Sequence, residues 1–375
     1  MVNEERIVQE FLELVQIDSV SREEGRIKEA LRNKLLDLGL EVYEDNAGKA
    51  LGGDSGNLMA WLPGTAPGPS VFFCAHMDTV EPGKGVKPVV QNGLIESSGE
   101  TILGGDDKAG IVAIMEALRV IKEKNLKHPP LEIIFTVGEE QGLMGSKHLD
   151  FSKVRSRFGY VLDSVGGPGT IITRGPTQNE IEVEVLGKAA HAGINPQDGI
   201  NAIAVAAHAI SHLNIGRIDD ETTCNIGIIA GGKARNIVPD RVVIRGEARS
   251  LDPAKLERIT RLIESTFKER VAEKGGRCKV NIIHLYPQLK LDPNDEVVKI
   301  AVAAARAMGV EPVITKTGGG SDANLFNGQG IKCANLGIGM RDVHTIDEHI
   351  EVKDLVGNAR YLLKIIEQLR GKGVD

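Results

Sequence analysis

The sequence predicts an α/β protein with a discontinuous main domain and an inserted α+β domain. Short apolar runs of the buried-strand type alternate with helical patterns in the first part of the chain, which is typical of a mixed, largely parallel central sheet. Between residues 179 and 286 the strands instead alternate with period two, as in a sheet with one solvated face. After this insert the first pattern resumes, so we expect both ends of the insert to connect to the main domain.

The first part of the chain carries helix and strand signals in turn. Apolar residues recur at helical spacing over residues 4–15 and 22–38, and Ser21 is a plausible N-cap for the second helix. A further helix is predicted at 108–122. Short apolar runs that predict buried strands cover residues 70–75, 131–137 and 159–162.

The insert has its own order of elements. Helices are predicted at 199–213 and from Asp252-Pro253 onward, where the aspartate caps the helix and the proline opens its first turn. Strands are predicted at residues 180–186, 223–229, 241–248 and 278–285. This β-α-β-β-α-β order is that of a ferredoxin-like unit.

Helices near 295–308 and 352–369 belong to the resumed α/β pattern. We therefore predict a main domain formed by residues 1–177 and 288–375, interrupted by an inserted domain at 178–287.

Length and composition restrict the class of protein. A chain of 375 residues favours two domains, and a net charge of -7 argues against nucleic acid as a partner. No apolar run reaches the roughly 18 residues of a membrane span, and the charged N-terminus lacks a signal-peptide core. The scattered cysteines, without Cys-x-x-Cys spacing, are typical of reduced thiols. We expect a cytoplasmic protein that binds neither nucleic acid nor membrane.

Metal-ligand residues follow the predicted strands. His76-Met77-Asp78 ends the first apolar run, and side chains two positions apart on a strand share a face. Asp78 can therefore accept a hydrogen bond from the ring of His76 and fix its tautomer. Taken alone, this motif is equally well explained as a polar strand end.

Two further motifs pair carboxylates. Asp106 and Asp107 lie among glycines at the start of a predicted helix. An isolated aspartate there is best explained as a cap, but the pair favours a metal-bridging loop. Glu139 and Glu140 follow a strand, and adjacent like charges are costly unless a cation compensates them. One of these glutamates can bind a metal ion while the other acts as a general base, although a solvated turn is the alternative.

Asp163 and His344 complete the inventory that a two-metal hydrolase needs: a bridging carboxylate, a histidine and a carboxylate for each ion, and a base. An aspartate after a strand is by itself usually a turn residue. We therefore interpret Asp163 as a metal ligand only because the other motifs are present. His349 lies close to His344 in the sequence, but we do not interpret it as the ligand.

Two other motifs are rejected. His208 and His212 have the spacing of a zinc helix, but Ala209 stands where that motif has glutamate, so we interpret the pair as helix surface. The glycine-rich segment 318–322 lacks the Gly-Lys-Ser/Thr of a phosphate loop.

In this order, His76-x-Asp78, Asp106-x-Lys108, Glu139-Glu140, Asp163 and His344 resemble the motifs of the dinuclear zinc exopeptidases and deacylases. That family includes tripeptidase T, glutamate carboxypeptidase, succinyl-diaminopimelate desuccinylase, acetylornithine deacetylase and aminoacylase. The resemblance spans nearly the whole chain, and residues 101–110 are most similar to the peptidase T branch. It implies a zinc-exopeptidase-type catalytic domain and an inserted lid that also forms a dimer interface.

The resemblance implies two Zn²⁺ ions per subunit, with Co²⁺ or Mn²⁺ also suited to such ligands. Asp106 would bridge the ions, through a cis peptide bond between Asp106 and Asp107. His76 and Asp163 would complete one ion, and Glu140 and His344 the other. Asp78 would orient His76, and Glu139 would be the general base.

The resemblance also assigns residues of the lid. His191 would reach the active site of the partner subunit and polarise the scissile carbonyl, while Asn236 and Arg249 would hold the substrate. In one departure, Gly318 stands where tripeptidase T has an arginine that helps to hold the substrate carboxylate, so strict tripeptide specificity is not implied.

We therefore expect a zinc-dependent aminopeptidase that hydrolyses short peptides. An N-acyl-amino-acid deacylase or carboxypeptidase of the same family is the alternative within the enzyme class. A non-catalytic, metal-binding dimer is the alternative outside it, but a structural site has no need of Glu139 as a base beside its metal.

Overall fold

The computed structural model describes residues 1–371, which form two compact units. Unit 1 comprises Met1–Arg174, Lys290–Thr317 and the described residues from Ser321 onward, and unit 2 comprises Gly175–Leu289 and Gly318–Gly320. Among the described residues, no helix is both long and apolar enough to cross a bilayer.

Helices and strands alternate along most of the chain. The helices are α1 (Glu4–Val15), α2 (Gly25–Asp37), α3 (Ala47–Leu51), α4 (Gly105–Glu123), α5 (Met144–Lys147), α6 (Ala202–Ile210), α7 (Pro253–Glu273), α8 (Glu296–Ala307), α9 (Asp322–Gly328) and α10 (Val352–Leu369). The strands are β1 (Glu41–Glu44), β2 (Leu58–Leu62), β3 (Val71–His76), β4 (Pro88–Gln91), β5 (Leu94–Ser97), β6 (Leu131–Thr136), β7 (Phe158–Ser164), β8 (Thr170–Gly175), β9 (Thr177–Leu186), β10 (Gly216–Asp219), β11 (Thr222–Gly231), β12 (Arg241–Ser250), β13 (Arg277–Tyr286), β14 (Leu289–Lys290), β15 (Val313–Lys316), β16 (Lys332–Gly337) and β17 (His349–Glu351).

A mixed sheet forms the centre of unit 1, as predicted. Its strand order is β1-β2-β6-β3-β7-β16-β8-β14, with β15 paired to β8. The four central strands β6, β3, β7 and β16 are mutually parallel, whereas β1 and β2 are antiparallel additions. Every residue of β3 and β6 is buried, which explains why both sequences are largely apolar.

One predicted helix start is wrong. Helix α2 begins at Gly25, and Glu24 rather than Ser21 occupies its N-cap position. The hydroxyl of Ser21 instead donates to Oδ2 of Asp78 at 2.6 Å. Apolar residues at helical spacing locate a helix, but they do not show whether a preceding serine caps that helix or hydrogen-bonds to another residue.

Unit 2 is an antiparallel sheet with two helices. Its strand order is β10-β11-β12-β9-β13, and omitting the short β10 gives the ferredoxin-like arrangement predicted from the sequence. Strand β9 alternates between buried and half-buried residues because only one face meets the core. Asp252 caps α7 by accepting from the amide of Ala254, as its sequence predicts.

Candidate metal centre

The candidate site lies at the carboxyl edge of the parallel strands of unit 1. His76 ends β3, Glu139 and Glu140 follow β6, Asp163 lies near the end of β7, and the loop after β16 carries His344. Because the carboxyl ends of parallel strands meet at one edge of a sheet, this is where α/β proteins commonly bind ligands. The strand order thus brings together residues that are far apart in sequence.

Two histidines and two carboxylates are in direct contact. Nε2 of His76 lies 3.0 Å from Oδ1 of Asp106, and Nε2 of His344 lies 3.3 Å from Oδ2 of the same carboxylate. Nε2 of His344 also lies 2.9 Å from Oε1 of Glu140. One ligand atom from each of His76, Asp106 and Glu140 lies within 4.8 Å of the others. Imidazole nitrogens and carboxylate oxygens are donors that zinc binds, so these residues fit a metal ion.

The backbone around Asp106 turns its carboxylate toward both histidines. Gly104 adopts φ +77°, a conformation that favours glycine, and the peptide bond between Asp106 and Asp107 is cis, as predicted. The Asp107 carboxylate points elsewhere: it accepts from the amides of His76 at 3.1 Å and Gly110 at 3.2 Å. The two adjacent aspartates therefore have different partners.

Asp163, which is half-buried, and Glu139, which is buried, add to the group of acids at the site. The amide of Asp163 donates to Oδ1 of Asn335 at 3.0 Å, which fixes the end of β7. Burial, together with the charge of Asp106, raises the pKa of Asp163 well above its usual range. Burial and the charge of Asp163 do the same to the pKa of Glu139. Such crowded acids are stabilised by a nearby cation.

The acids also favour positive charge on the histidines. Hydrogen bonds with Asp106 and Glu140 raise the pKa of His344 to about 10. Burial acts to lower the pKa of His76, but hydrogen bonds with Asp106 and Asp78 outweigh it and raise that pKa well above its usual value. A divalent cation bound here would displace these imidazole protons, because metal ligands must be deprotonated.

Asp78 contacts both the His76 ring and the loop that carries the paired glutamates. Nδ1 of His76 lies 3.0 Å from the backbone carbonyl oxygen of Asp78 and 3.4 Å from its Oδ1. The carboxylate itself accepts from the amides of Glu139 at 2.9 Å and Glu140 at 3.2 Å. Asp78 therefore orients the histidine mainly through its backbone, and its side chain holds the neighbouring turn.

The three residues predicted to serve the lid lie in unit 2. Nδ1 of His191 accepts from the amides of Gly193 at 3.2 Å and Ile194 at 3.1 Å, which leaves the ring hydrogen on Nε2. Asn236 lies on the segment facing His191, where its carbonyl accepts from the amide of Ala192. The guanidinium of Arg249 donates to the carboxylate of Glu247 at 2.8 and 3.0 Å.

The rejected histidines have other partners. Nδ1 of His349 lies 2.9 Å from the backbone oxygen of Asp347. His208 is half-buried on α6 and contacts Glu273, whereas His212 is exposed just after the end of that helix. None of the three is in the metal-ligand group found among the described residues.

Sequence reasoning missed several buried polar residues that hold the site. Oε2 and Oε1 of Glu348 accept from the amides of Gly104 at 2.7 Å and Asp106 at 2.9 Å, so the loop of His344 is tied to the loop of Asp106. Asp322 accepts from the hydroxyls of Thr136, at 2.5 Å, and Ser146. No local pattern marks such residues, because their partners are backbone amides or distant hydroxyls.

Comparison with known proteins gives matches over the whole length of the chain. A protein of Bacillus subtilis (strain 168) named YqjE, described as uncharacterized, is 47% identical over 368 residues, which cover 98% of this chain and 99% of that protein. The crystal structure of aminopeptidase PepT from Bacillus cereus ATCC 10987 is 45% identical with a TM-score of 0.90, covering 98% of this chain and 99% of that one. A tripeptidase structure from Staphylococcus aureus subsp. aureus Mu50 is 41% identical with a TM-score of 0.94 and covers 98% of each chain.

The mixed α/β fold and the histidine–carboxylate site, with these neighbours, define a hydrolytic metallopeptidase. The model of peptidase family M20/M25/M40 matches residues 72–368, and this chain belongs to that family. One solved structure with the same fold, the YXEP protein of Bacillus subtilis, is described as a dinuclear metal binding peptidase of the M20 family; it is 17% identical with a TM-score of 0.73 and covers 97% of each chain. Among the described residues of this chain, the group formed by His76, Asp106 and Glu140 is a candidate metal site.

Proposed function

We propose that this chain is a dinuclear zinc aminopeptidase of the peptidase T type that hydrolyses short peptides. The observation that carries the proposal is the position of the Asp106 carboxylate, whose two oxygens face the Nε2 atoms of two different histidines. A bridging carboxylate requires this arrangement. The names of the neighbours, aminopeptidase PepT and tripeptidase, support the substrate class.

The ligand assignment follows the sequence prediction. Asp106 would bridge two ions, His76 and Asp163 would complete the ligands of one, and Glu140 and His344 would complete those of the other. Zinc suits this donor set, as do Co²⁺ and Mn²⁺. When bound, the ions supply Lewis-acid chemistry that polarises a carbonyl and makes water acidic.

The remaining chemistry belongs to the side chains. Glu139 accepts a proton from water and passes it to the departing amine. Asp78 holds both the His76 ring and the turn of Glu139. His191, with its hydrogen on Nε2, donates to the scissile carbonyl, and Asn236 and Arg249 hold the substrate.

We also propose a cytoplasmic homodimer that forms through unit 2. The four cysteines are free thiols, which suits a reducing compartment. Strand β11 pairs with β10 only over its first three residues, Thr222–Cys224. Among the described residues, the edge formed by residues 225–231 on that side of β11 is therefore open. Ile228 and Ile229 on this edge are 55% and 52% exposed. Open apolar edges are sites of strand pairing between chains.

The test is hydrolysis by the zinc-loaded protein of matched dipeptides, tripeptides, N-terminally blocked tripeptides and N-acetyl amino acids. An aminopeptidase requires the unblocked amine, so blocking should abolish turnover. Turnover of N-acetyl amino acids in preference to peptides would instead support the deacylase alternative. Glu139→Gln keeps the shape of the side chain but removes the base, so it should retain two metal ions and lose about 10²–10⁴-fold in kcat. Loss of metal in Glu139→Gln but not in Glu140→Gln would mean that the two roles are exchanged.

A further inference from the structure

Four consecutive amides in the turn after β6 all donate to buried side chains. The amide of Val137 donates to Oδ1 of Asn57 at 3.1 Å, and that of Gly138 to Oε1 of Glu24 at 3.0 Å. The amides of Glu139 and Glu140 donate to Oδ1 and Oδ2 of Asp78 at 2.9 and 3.2 Å. The acceptors come from three distant parts of the chain.

The turn needs these acceptors because it leaves the sheet. Gly138 adopts φ +58°, which takes the backbone out of the strand direction after Thr136. Its amides then have no ladder partners, and a buried amide without an acceptor costs about 1–3 kcal/mol. The side chains that accept these hydrogen bonds thus determine where the turn lies.

Among the three acceptors, Glu24 has no other evident task. It occupies the N-cap position of α2, but its side chain makes no capping hydrogen bond. Only 1% of the residue is exposed, and its Oε2 has no hydrogen-bond partner among the described residues. Burial raises the pKa of this carboxyl to about 7. The amides of Arg22 and of Glu24 itself lie near the carboxylate and oppose this rise in pKa, but among the described residues it is the Gly138 amide that meets it with hydrogen-bond geometry. A buried carboxyl with so few partners is a poor way to stabilise a fold.

We propose that Glu24 is a positioning residue for the general base: its Oε1 holds the amide of Gly138 and thereby sets the direction in which Glu139 leaves the turn. The inference rests on the proposed function, in which Glu139 is the base. Helix α2 supplies none of the proposed metal ligands. Through its N-cap residue Glu24, however, it would take part in the chemistry. Misplacing a reacting group by about 1 Å can cost about 100-fold in rate.

Two substitutions separate positioning from simple stability. Glu24→Ala removes the acceptor, and Glu24→Gln keeps an oxygen for the Gly138 amide. Glu132→Ala is a matched control, because Glu132 is also buried, with 3% exposure, and accepts from the amides of Arg155 and Ser156 at the other end of β6.

We expect Glu24→Ala to lower kcat on a short peptide by about 10–100-fold with KM and metal content unchanged. Glu24→Gln should recover most of the lost kcat. Glu132→Ala should lower the melting temperature without lowering kcat. A kcat of Glu24→Ala within threefold of the wild-type value, or a loss of metal ions that accounts for the lower activity, would overturn the inference.

Hydrogen exchange of the segment 137–140, measured by mass spectrometry on the metal-loaded proteins, gives a readout that does not depend on turnover. Exchange should be faster in Glu24→Ala than in wild type, Glu24→Gln or Glu132→Ala. Equal exchange rates in all four proteins would also overturn the inference. If wild type fails to hydrolyse peptides, or if Glu139→Gln remains active, the proposed function fails instead, and the exchange result still decides whether Glu24 holds the turn.

Discussion

At the scale of single residues, the site depends on where each carboxylate finds its partners. Asp106 meets two histidines, Asp107 meets two backbone amides, and Asp78 meets the amides of the glutamate turn. Adjacent or similar acids thus have different partners: Asp106 is a proposed ligand, Asp107 anchors a loop and Asp78 anchors a turn. Substitutions should therefore have distinct effects rather than a common loss of function.

Asp106→Ala should remove the carboxylate that lies between His76 and His344. We expect the metal content to fall from two ions per chain to one or fewer, because a bridging carboxylate binds both. Elemental analysis of the purified protein measures this. The double variant His208→Ala/His212→Ala should keep its full metal content. Two ions retained in Asp106→Ala would contradict the assignment.

The buried Glu24 should also make stability depend on pH. Its pKa rises from 4.5 to about 7 on folding, so between these values the folded protein retains a proton that the unfolded chain has released. Stability from this group is therefore present below pH 4.5 and lost as the pH rises through 7. One pKa unit is worth about 1.4 kcal/mol, so the loss should be at most about 3.5 kcal/mol.

Denaturant unfolding of the chelator-treated proteins at a series of pH values measures this effect. The free energy of unfolding should fall more steeply across the window in wild type than in Glu24→Gln, since glutamine does not titrate. Parallel pH profiles for the two proteins would show that Glu24 does not titrate there.

At the scale of elements, the open edge of β11 is the surface through which we expect the homodimer to form. Strand β13 forms the opposite edge of the same sheet and carries Ile283, which is 38% exposed. The two edges therefore provide a matched comparison within one sheet. A charged side chain on an edge strand opposes pairing with another chain.

The double variant Ile228→Lys/Ile229→Lys should be monomeric, and Ile283→Lys should remain a dimer. Sedimentation or light scattering gives the mass of each, and circular dichroism checks that unit 2 is folded. A monomeric wild type would refute the dimer itself. Dissociation by Ile283→Lys alone would place the interface at the other edge.

At the scale of the whole molecule, the proposed catalytic residues are divided between two compact units. The metal ligands and Glu139 belong to unit 1, whereas His191, Asn236 and Arg249 belong to unit 2. A catalytic set divided in this way can be shared between subunits of a dimer, and closure of one unit on another can assemble it.

If active sites are shared, a mixture of inactive His191→Ala and Glu139→Gln subunits should recover activity. In each heterodimer one site would receive an intact Glu139 of its own and an intact His191 of the neighbour. Co-purification of differently tagged subunits must first establish exchange, and peptide hydrolysis is then measured. Exchange without recovered activity would mean that His191 acts within its own chain or not at all.

The sequence by itself located the main helices and strands and the positions of the candidate ligands along them. Buried parallel strands favour largely apolar runs, so β3 and β6 could be located, and the period-two pattern of β9 indicated a sheet with one solvated face. His76, Glu139 and Asp163 lie at or just after the ends of such strands, where polar side chains of an α/β protein gather. Their type and order were therefore informative without coordinates.

Only the tertiary structure decided how the loops are held. The partners of Glu24, Asn57 and Glu348 are backbone amides that lie 80–244 residues away. A backbone amide is the same group in every residue except proline, so it leaves no mark in the sequence to show which side chain will accept from it. The order of the strands brings each acceptor to its amide, and that order depends on the packing of the whole sheet. The candidate ligands could thus be proposed from the sequence, whereas the residues that hold their loops in place are determined by the fold.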